Sequence, residues 1–139
     1  MNIECRGEAV NFATGGVEVG RDLPLVVLVH GAGMDRTVWS QQTRYLAHHG
    51  FAAMALDLPG HGESGGEPLS SIGEMADWVS EVIDGIDQGP ARLIGHSMGS
   101  LVSLEVAARH PGVVERLVLL GTGAAMPVHP EFLGAAERN

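Results

Sequence analysis

An α/β fold, with a mostly parallel sheet and helices on both faces, is what this chain of 139 residues predicts. Three observations carry that expectation. Short, continuous apolar runs recur at Leu25-Val26-Val27-Leu28-Val29, at 51–56, at Ala91-Arg92-Leu93-Ile94 and at Arg116-Leu117-Val118-Leu119-Leu120, as expected of strands covered on both faces. Stretches with helical apolar spacing separate them. Glycine-rich turns punctuate the junctions. Strands alternating with helices argue for parallel pairing through crossover helices.

The elements follow in order. Residues 3–19 alternate loosely and are broken by Gly15-Gly16, which reads as two short antiparallel strands at a sheet edge. Strand 25–30 comes next. Val38 to His49 reads as a helix with Trp39, Leu46 and Ala47 facing inward, and Gly50 as its left-handed C-terminal residue. Strand 51–56 leads into the loop Gly65-Gly66-Glu67-Pro68. Ile72, Met75, Ala76, Val79, Val82, Ile83 and Ile86 then fall at i, i+3, i+4, i+7 spacing, an amphipathic helix. Ser71 and Glu74 form a capping box at its start, and Gly89-Pro90 stops it. Strand 91–95, helix 98–110 and strand 116–120 complete a count of six strands. Pro130 to Asn139 reads as the start of a further helix.

Chemistry concentrates at Gly95-His96-Ser97-Met98-Gly99. This is a G-x-S-x-G pentapeptide between a strand and a helix, the context of a nucleophile elbow. The sharp turn needs small neighbours two positions either side of the serine, and Gly95 and Gly99 supply them. Ser97 Oγ would stand clear of the sheet at the positive end of a helix. A second glycine-rich turn, His30-Gly31-Ala32-Gly33-Met34, closes strand 25–30 and can aim a backbone N–H at an oxyanion. A third segment, Asp57-Leu58-Pro59-Gly60-His61-Gly62-Glu63-Ser64, closes strand 51–56.

With H-G-x-G, D-x-P-G-H-G-x-S and G-x-S-x-G in that order, the chain resembles the N-terminal half of the α/β-hydrolase fold family, in the AB hydrolase-1 branch of serine hydrolases. The likeness runs from about Glu4 to Asn139. It implies an α/β-hydrolase core truncated after the sixth strand and before the cap, a single partial domain over 1–139, with residues 130–139 entering a missing cap. It also implies hydrolysis of an ester or related acyl bond through an acyl-serine. Ser97 is the nucleophile in that scheme. Met98 and Ala32 give the backbone N–H groups of the oxyanion hole, with Gly33 as the alternative to Ala32. His30 organises the loop, with Gly31, Gly33, Gly95, His96 and Gly99 in support. Asp57 and His61 brace a loop and take no chemical part.

The family order is Ser, then Asp or Glu, then His. After Ser97 the chain has no Asp, four Glu (Glu105, Glu115, Glu131, Glu137) and two His, His110 and His129. His110 closes the helix that starts at the elbow, about 20 Å away at ~1.5 Å per residue, too far to act as base. His129 follows the last strand and is a candidate substitute base only in a rearranged site. The triad acid and base are therefore not identified in this chain. The alternatives are a non-catalytic hydrolase-like module or degenerate fragment, and acyl transfer, C–C hydrolysis or haloperoxidase-like chemistry on the same fold. Serine at 97 argues against an epoxide hydrolase or dehalogenase, which would want an aspartate.

Composition narrows the partners. A net charge of −9 argues against nucleic acid, which needs a basic footprint. No apolar run approaches the roughly 20 residues of a membrane helix, and no basic cluster suggests an anionic membrane surface. The first residues lack the basic and apolar regions of a signal peptide, and the single cysteine, Cys5, excludes an internal disulfide, so a cytoplasmic location is expected. No His/Cys/Asp cluster has metal-ligand spacing. Gly31-Ala32-Gly33 is followed by Met34, Asp35 and Arg36 without the third glycine of a dinucleotide site. No cofactor and no metal are expected; the expected partner is a small-molecule acyl substrate. Strand 116–120 lacks proline or lysine, so self-association through an exposed sheet edge is also expected. Met34, Trp39 and Met54 line a pocket or fill the core.

Overall fold

The computed structural model describes residues 3–19, 22–127, 130, 131 and 134. Ile3–Cys5 (β1) and Glu8–Val10 (β2) pair antiparallel as a separate two-stranded ribbon. The main sheet is built from Phe12–Ala13 (β3), Leu25–Val29 (β4), Ala52–Leu56 (β5), Ala91–His96 (β6) and Val114–Leu120 (β7). Its order is β3-β5-β4-β6-β7, with β3 antiparallel and every other pairing parallel. Helices Ser40–His48 (α1), Ile72–Ile86 (α2) and Met98–Arg109 (α3) are the crossovers.

The central strands behave as their composition predicts: every residue of β4 and β5 is buried. Two cores result, one on each face. Leu25, Val27, Val29, Met54, Leu56 and Leu93 pack with Met75, Val79, Val82 and Ile83 of α2 and Val102 and Val106 of α3. On the opposite face Val26, Leu28, Ala53 and Ala55 pack with Trp39, and Leu46, Phe51 and Ile94 close around them.

Three expectations need correction. The segment 3–19 carries three strands rather than two, and only β3 joins the main sheet, so the described strands number seven rather than six. The helix expected over 38–49 is a 3-10 turn, Arg36–Trp39, followed by α1. Asp35 opens that turn by accepting from the Thr37 N–H. Gly89-Pro90 does not stop α2; the helix ends at Ile86, and Asp87 takes the left-handed conformation at φ 52°.

The capping box is half present: Ser71 accepts from the Glu74 N–H at 3.2 Å, but the Glu74 carboxylate turns back to the Ser70 N–H and hydroxyl. Gly50 does close α1, at φ 83°, with the Phe51 N–H on the Leu46 carbonyl. Among the inward positions expected over 38–49, Trp39 is buried and Leu46 and Ala47 are half-buried, while Thr43, buried with its hydroxyl on the Trp39 and Ser40 carbonyls, was not anticipated. Met54 is core. His129 and most of 130–139 lie outside the described residues.

Candidate active site

Parallel strands point their C-terminal ends to one edge of the sheet, where loops from several strands meet. Three such loops converge here. The first is the elbow itself. Ser97 has φ 53° and ψ −117°, a conformation costly for a residue with a Cβ. It leads directly into α3. Gly95 and Gly99 are required by space: a Cβ at Gly95 would lie 2.2 Å from the Gly99 carbonyl oxygen, and one at Gly99 would lie 2.2 Å from the Val29 carbonyl oxygen. The elbow is thus clamped against the end of β4 by backbone alone.

The elbow is also tied to β7. The Ser97 N–H donates to the Leu120 carbonyl at 2.9 Å. The fully buried Ser100 hydroxyl lies 2.7 Å from the Gly95 carbonyl oxygen and 2.8 Å from that of Leu120, and accepts from the Leu120 N–H at 3.1 Å. Ser100 braces the turn that carries Ser97, and motif reading missed it. Its signal was a polar side chain one turn into a helix whose inward face had to meet two strands.

The second loop follows β4. A Cβ at Gly31 would sit 3.3 Å from Ser97 Cβ, from His96 Nδ1 and from Met34 Sδ, so the loop abuts the elbow. Ala32 and Gly33 are exposed beyond it, Gly33 at φ 67°. His30 lies beneath them, fully buried. The Leu58 N–H donates to its Nε2 at 3.2 Å, which puts the ring proton on Nδ1, where it reaches the Gly31 carbonyl at 2.8 Å. Burial pushes the His30 pKa down, so the ring is neutral and serves as a bracket between two loops.

The third loop follows β5. Asp57 is fully buried and answered on every side. Its carboxylate accepts from the Arg36 N–H at 2.7 Å, the Glu63 N–H at 2.9 Å and the Arg36 guanidinium. Its carbonyl accepts from the Ser64 hydroxyl at 2.7 Å. The packing leaves no room for a Cβ at Gly62, which would meet the Asp57 carboxylate at 2.2 Å. Asp57 therefore fixes the start of the 3-10 turn that follows the His30–Met34 loop. Arg36, which bridges Asp57 and Glu63, was not foreseen. His61 lies with its ring centroid 5.0 Å from that of His30 and Nδ1 near the Pro59 carbonyl.

Beside Ser97 a cleft of about 240 Å³ is lined by Met34, Val38, Trp39, His96 and Leu120. The His96 ring stands edge-on to Trp39 at 84°, and the Trp39 indole N–H, buried, has no hydrogen-bond partner.

Among the described residues two further histidines are engaged away from Ser97. His110 sits 2.6 Å from the Asp77 carboxylate on the far side of α2 and α3, and His49 stacks on Tyr45. Cys5 is buried against α2, and burial together with the nearby Glu81 carboxylate pushes its thiol up to about 11. Also among the described residues, no group of His, Cys, Asp or Glu is placed to hold a metal ion, and no helix is long and apolar enough to cross a membrane.

Comparison with known proteins agrees with this architecture. The family model described as alpha/beta hydrolase fold matches residues 24–137. The (E)-2-((N-methylformamido)methylene)succinate hydrolase of Acinetobacter baylyi is 38% identical over 104 residues, 74% of this chain and 39% of its own length. The pimeloyl-[acyl-carrier protein] methyl ester esterase of Methylococcus capsulatus is 40% identical over 101 residues, 70% of this chain and 36% of its own. The crystal structure of a membrane phospholipase A superposes with a TM-score of 0.80 at 29% identity, covering 99% of this chain and 44% of that one. The chain spans about two fifths of the length of these relatives. A family match over most of the chain, relatives that are themselves hydrolases and a sheet of the same architecture place it in the α/β-hydrolase family.

Proposed function

We propose that this chain carries the nucleophile of a serine hydrolase that cleaves an ester or related acyl bond of a small-molecule substrate. The observation that supports it best is the backbone of Ser97: a strained φ, ψ pair held between two glycines that no larger residue could replace. In this reading Ser97 Oγ bonds to the acyl carbon, the carbonyl pair moves onto oxygen, and the Met98 and Ala32 N–H groups hold that oxyanion. Gly33 is the alternative second donor. Collapse of the tetrahedral adduct expels the alcohol, and water then releases the acid. A general base from outside the described residues, oriented by an acid also outside them, takes the Ser97 proton and returns it to the departing alkoxide.

A second reading, a hydrolase-like module without catalysis, is favoured by one observation: among the described residues no imidazole is hydrogen-bonded to Ser97. Labelling the chain with a fluorophosphonate probe, with Ser97→Ala as control, separates the two. Slow labelling that disappears in Ser97→Ala supports the hydrolase. Labelling that survives the substitution removes Ser97 from the chemistry, and a folded sample that takes no label favours the non-catalytic module.

A further inference from the structure

We infer that the cleft beside Ser97 is a subsite for a short, uncharged, apolar acyl or alkoxy group, so that the substrate is a small neutral ester; this rests on the serine-hydrolase reading above. The placement comes from Gly31, whose missing Cβ marks a point 3.3 Å from Ser97 Cβ, Met34 Sδ and His96 Nδ1. Two lining residues of the cleft are therefore immediate neighbours of the nucleophile.

The chemistry comes from the lining. Met34, Val38, Trp39 and Leu120 are apolar, and His96 is the one titratable group among the described lining residues. Among the described lining residues no Lys or Arg is present to meet a carboxylate or phosphate, and burying an unpaired charge against such a wall is costly. The chain's net charge of −9 further disfavours anions. Met34, Val38 and Leu120 are exposed by 39%, 46% and 43%, so much of the large apolar surface left to solvent gathers at this one place.

The size comes from the volume. About 240 Å³ holds roughly eight water-sized groups, below the ~300–1,000 Å³ of pockets for drug-sized ligands. A chain of a few carbons fills it.

The test uses the Ser97→Ala chain, so that binding is read without turnover. Methyl butyrate and sodium butyrate, which share a carbon skeleton, are titrated separately and followed by nitrogen-15 NMR. The Trp39 indole N–H and the Met34 and Leu120 amides are the reporters, and the Trp78 indole, buried in the other core, is the fold control. Methyl butyrate is expected to shift the three reporters, with butyrate weaker by at least about tenfold. Leu120→Trp, which fills the cleft, is expected to abolish the shifts and leave Trp78 in place. Equal affinity for ester and anion, shifts elsewhere, no shifts, or shifts that survive Leu120→Trp overturn the subsite. Cleft binding without Ser97-dependent labelling sinks the hydrolase reading alone; labelling without cleft binding sinks the subsite alone.

Discussion

The two faces of the sheet are covered unequally. Against α2 and α3, strands β4, β5 and β6 bury Leu25, Val27, Met54, Leu56 and Leu93 in one continuous core. Against α1, the buried cluster is five residues centred on Val26 and Leu28. Register shows where the second cover stops. Val26 and Leu28 of β4 lie beside Arg92 and Ile94 of β6, which lie beside Arg116 and Val118 of β7. Strand residues two apart share a face, so the α1 face continues to Val118 and Leu120, and both are exposed, by 46% and 43%. One face holds the fold together. The other leaves apolar wall open next to Ser97.

Substitution should break that contrast open. The largest effect is expected on the closed face, where Leu56→Ala removes a fully buried side chain and should cost about 2–5 kcal/mol in denaturant unfolding. Next comes Gly99→Ala, at the seam between α3 and β4. Its Cβ would press on the Val29 carbonyl, backbone that cannot step aside. A loss of about 1–3 kcal/mol is expected together with loss of any Ser97-dependent labelling; labelling at the parent rate would show that the elbow tolerates the strain.

The rim of the closed face should titrate. Asp77 holds Arg109 at 2.9 Å and His110 at 2.6 Å, and the His110 hydrogen bond holds its pKa below the usual 3.8. A carboxylate depressed on folding stabilises at neutral pH and loses that contribution as pH falls through 3.8 towards the folded value. Asp77→Asn should therefore flatten the acid limb of the stability curve, and an unchanged limb would assign acid unfolding to other groups. The smallest effect belongs to the open face: Val118→Ala should stay within about 0.5 kcal/mol. The same site tests association. β7 ends the sheet with an apolar surface and no lysine or proline, so the chain is expected to self-associate with concentration in light scattering, and Val118→Lys to suppress it. A monodisperse parent would remove the edge as a sticking surface.

Much of this architecture was legible because it is periodic. The run at 25–29 has no polar face because both faces are covered, and the α2 stripe from Ile72 to Ile86 faces one core. What escaped was short or irregular. β3 is two residues long, too brief for any alternation, and is set only by pairing with Leu56 and Ala55. The 3-10 start of the 38–49 segment follows from Asp35 and from Arg36 being held by Asp57, a contact 21 residues away that spacing cannot reveal. Within the site, motif spacing located Ser97 and its glycines, whereas Ser100 and Arg36 act through partners on other strands and loops.

The Leu120 carbonyl gives Ser97 a clock. It accepts the Ser97 N–H from the end of an edge strand, so every fraying of β7 that breaks this bond frees that amide to exchange with solvent. Deuterium uptake at Ser97 then measures how often the last strand opens, and the elbow can be no better ordered than the edge it leans on.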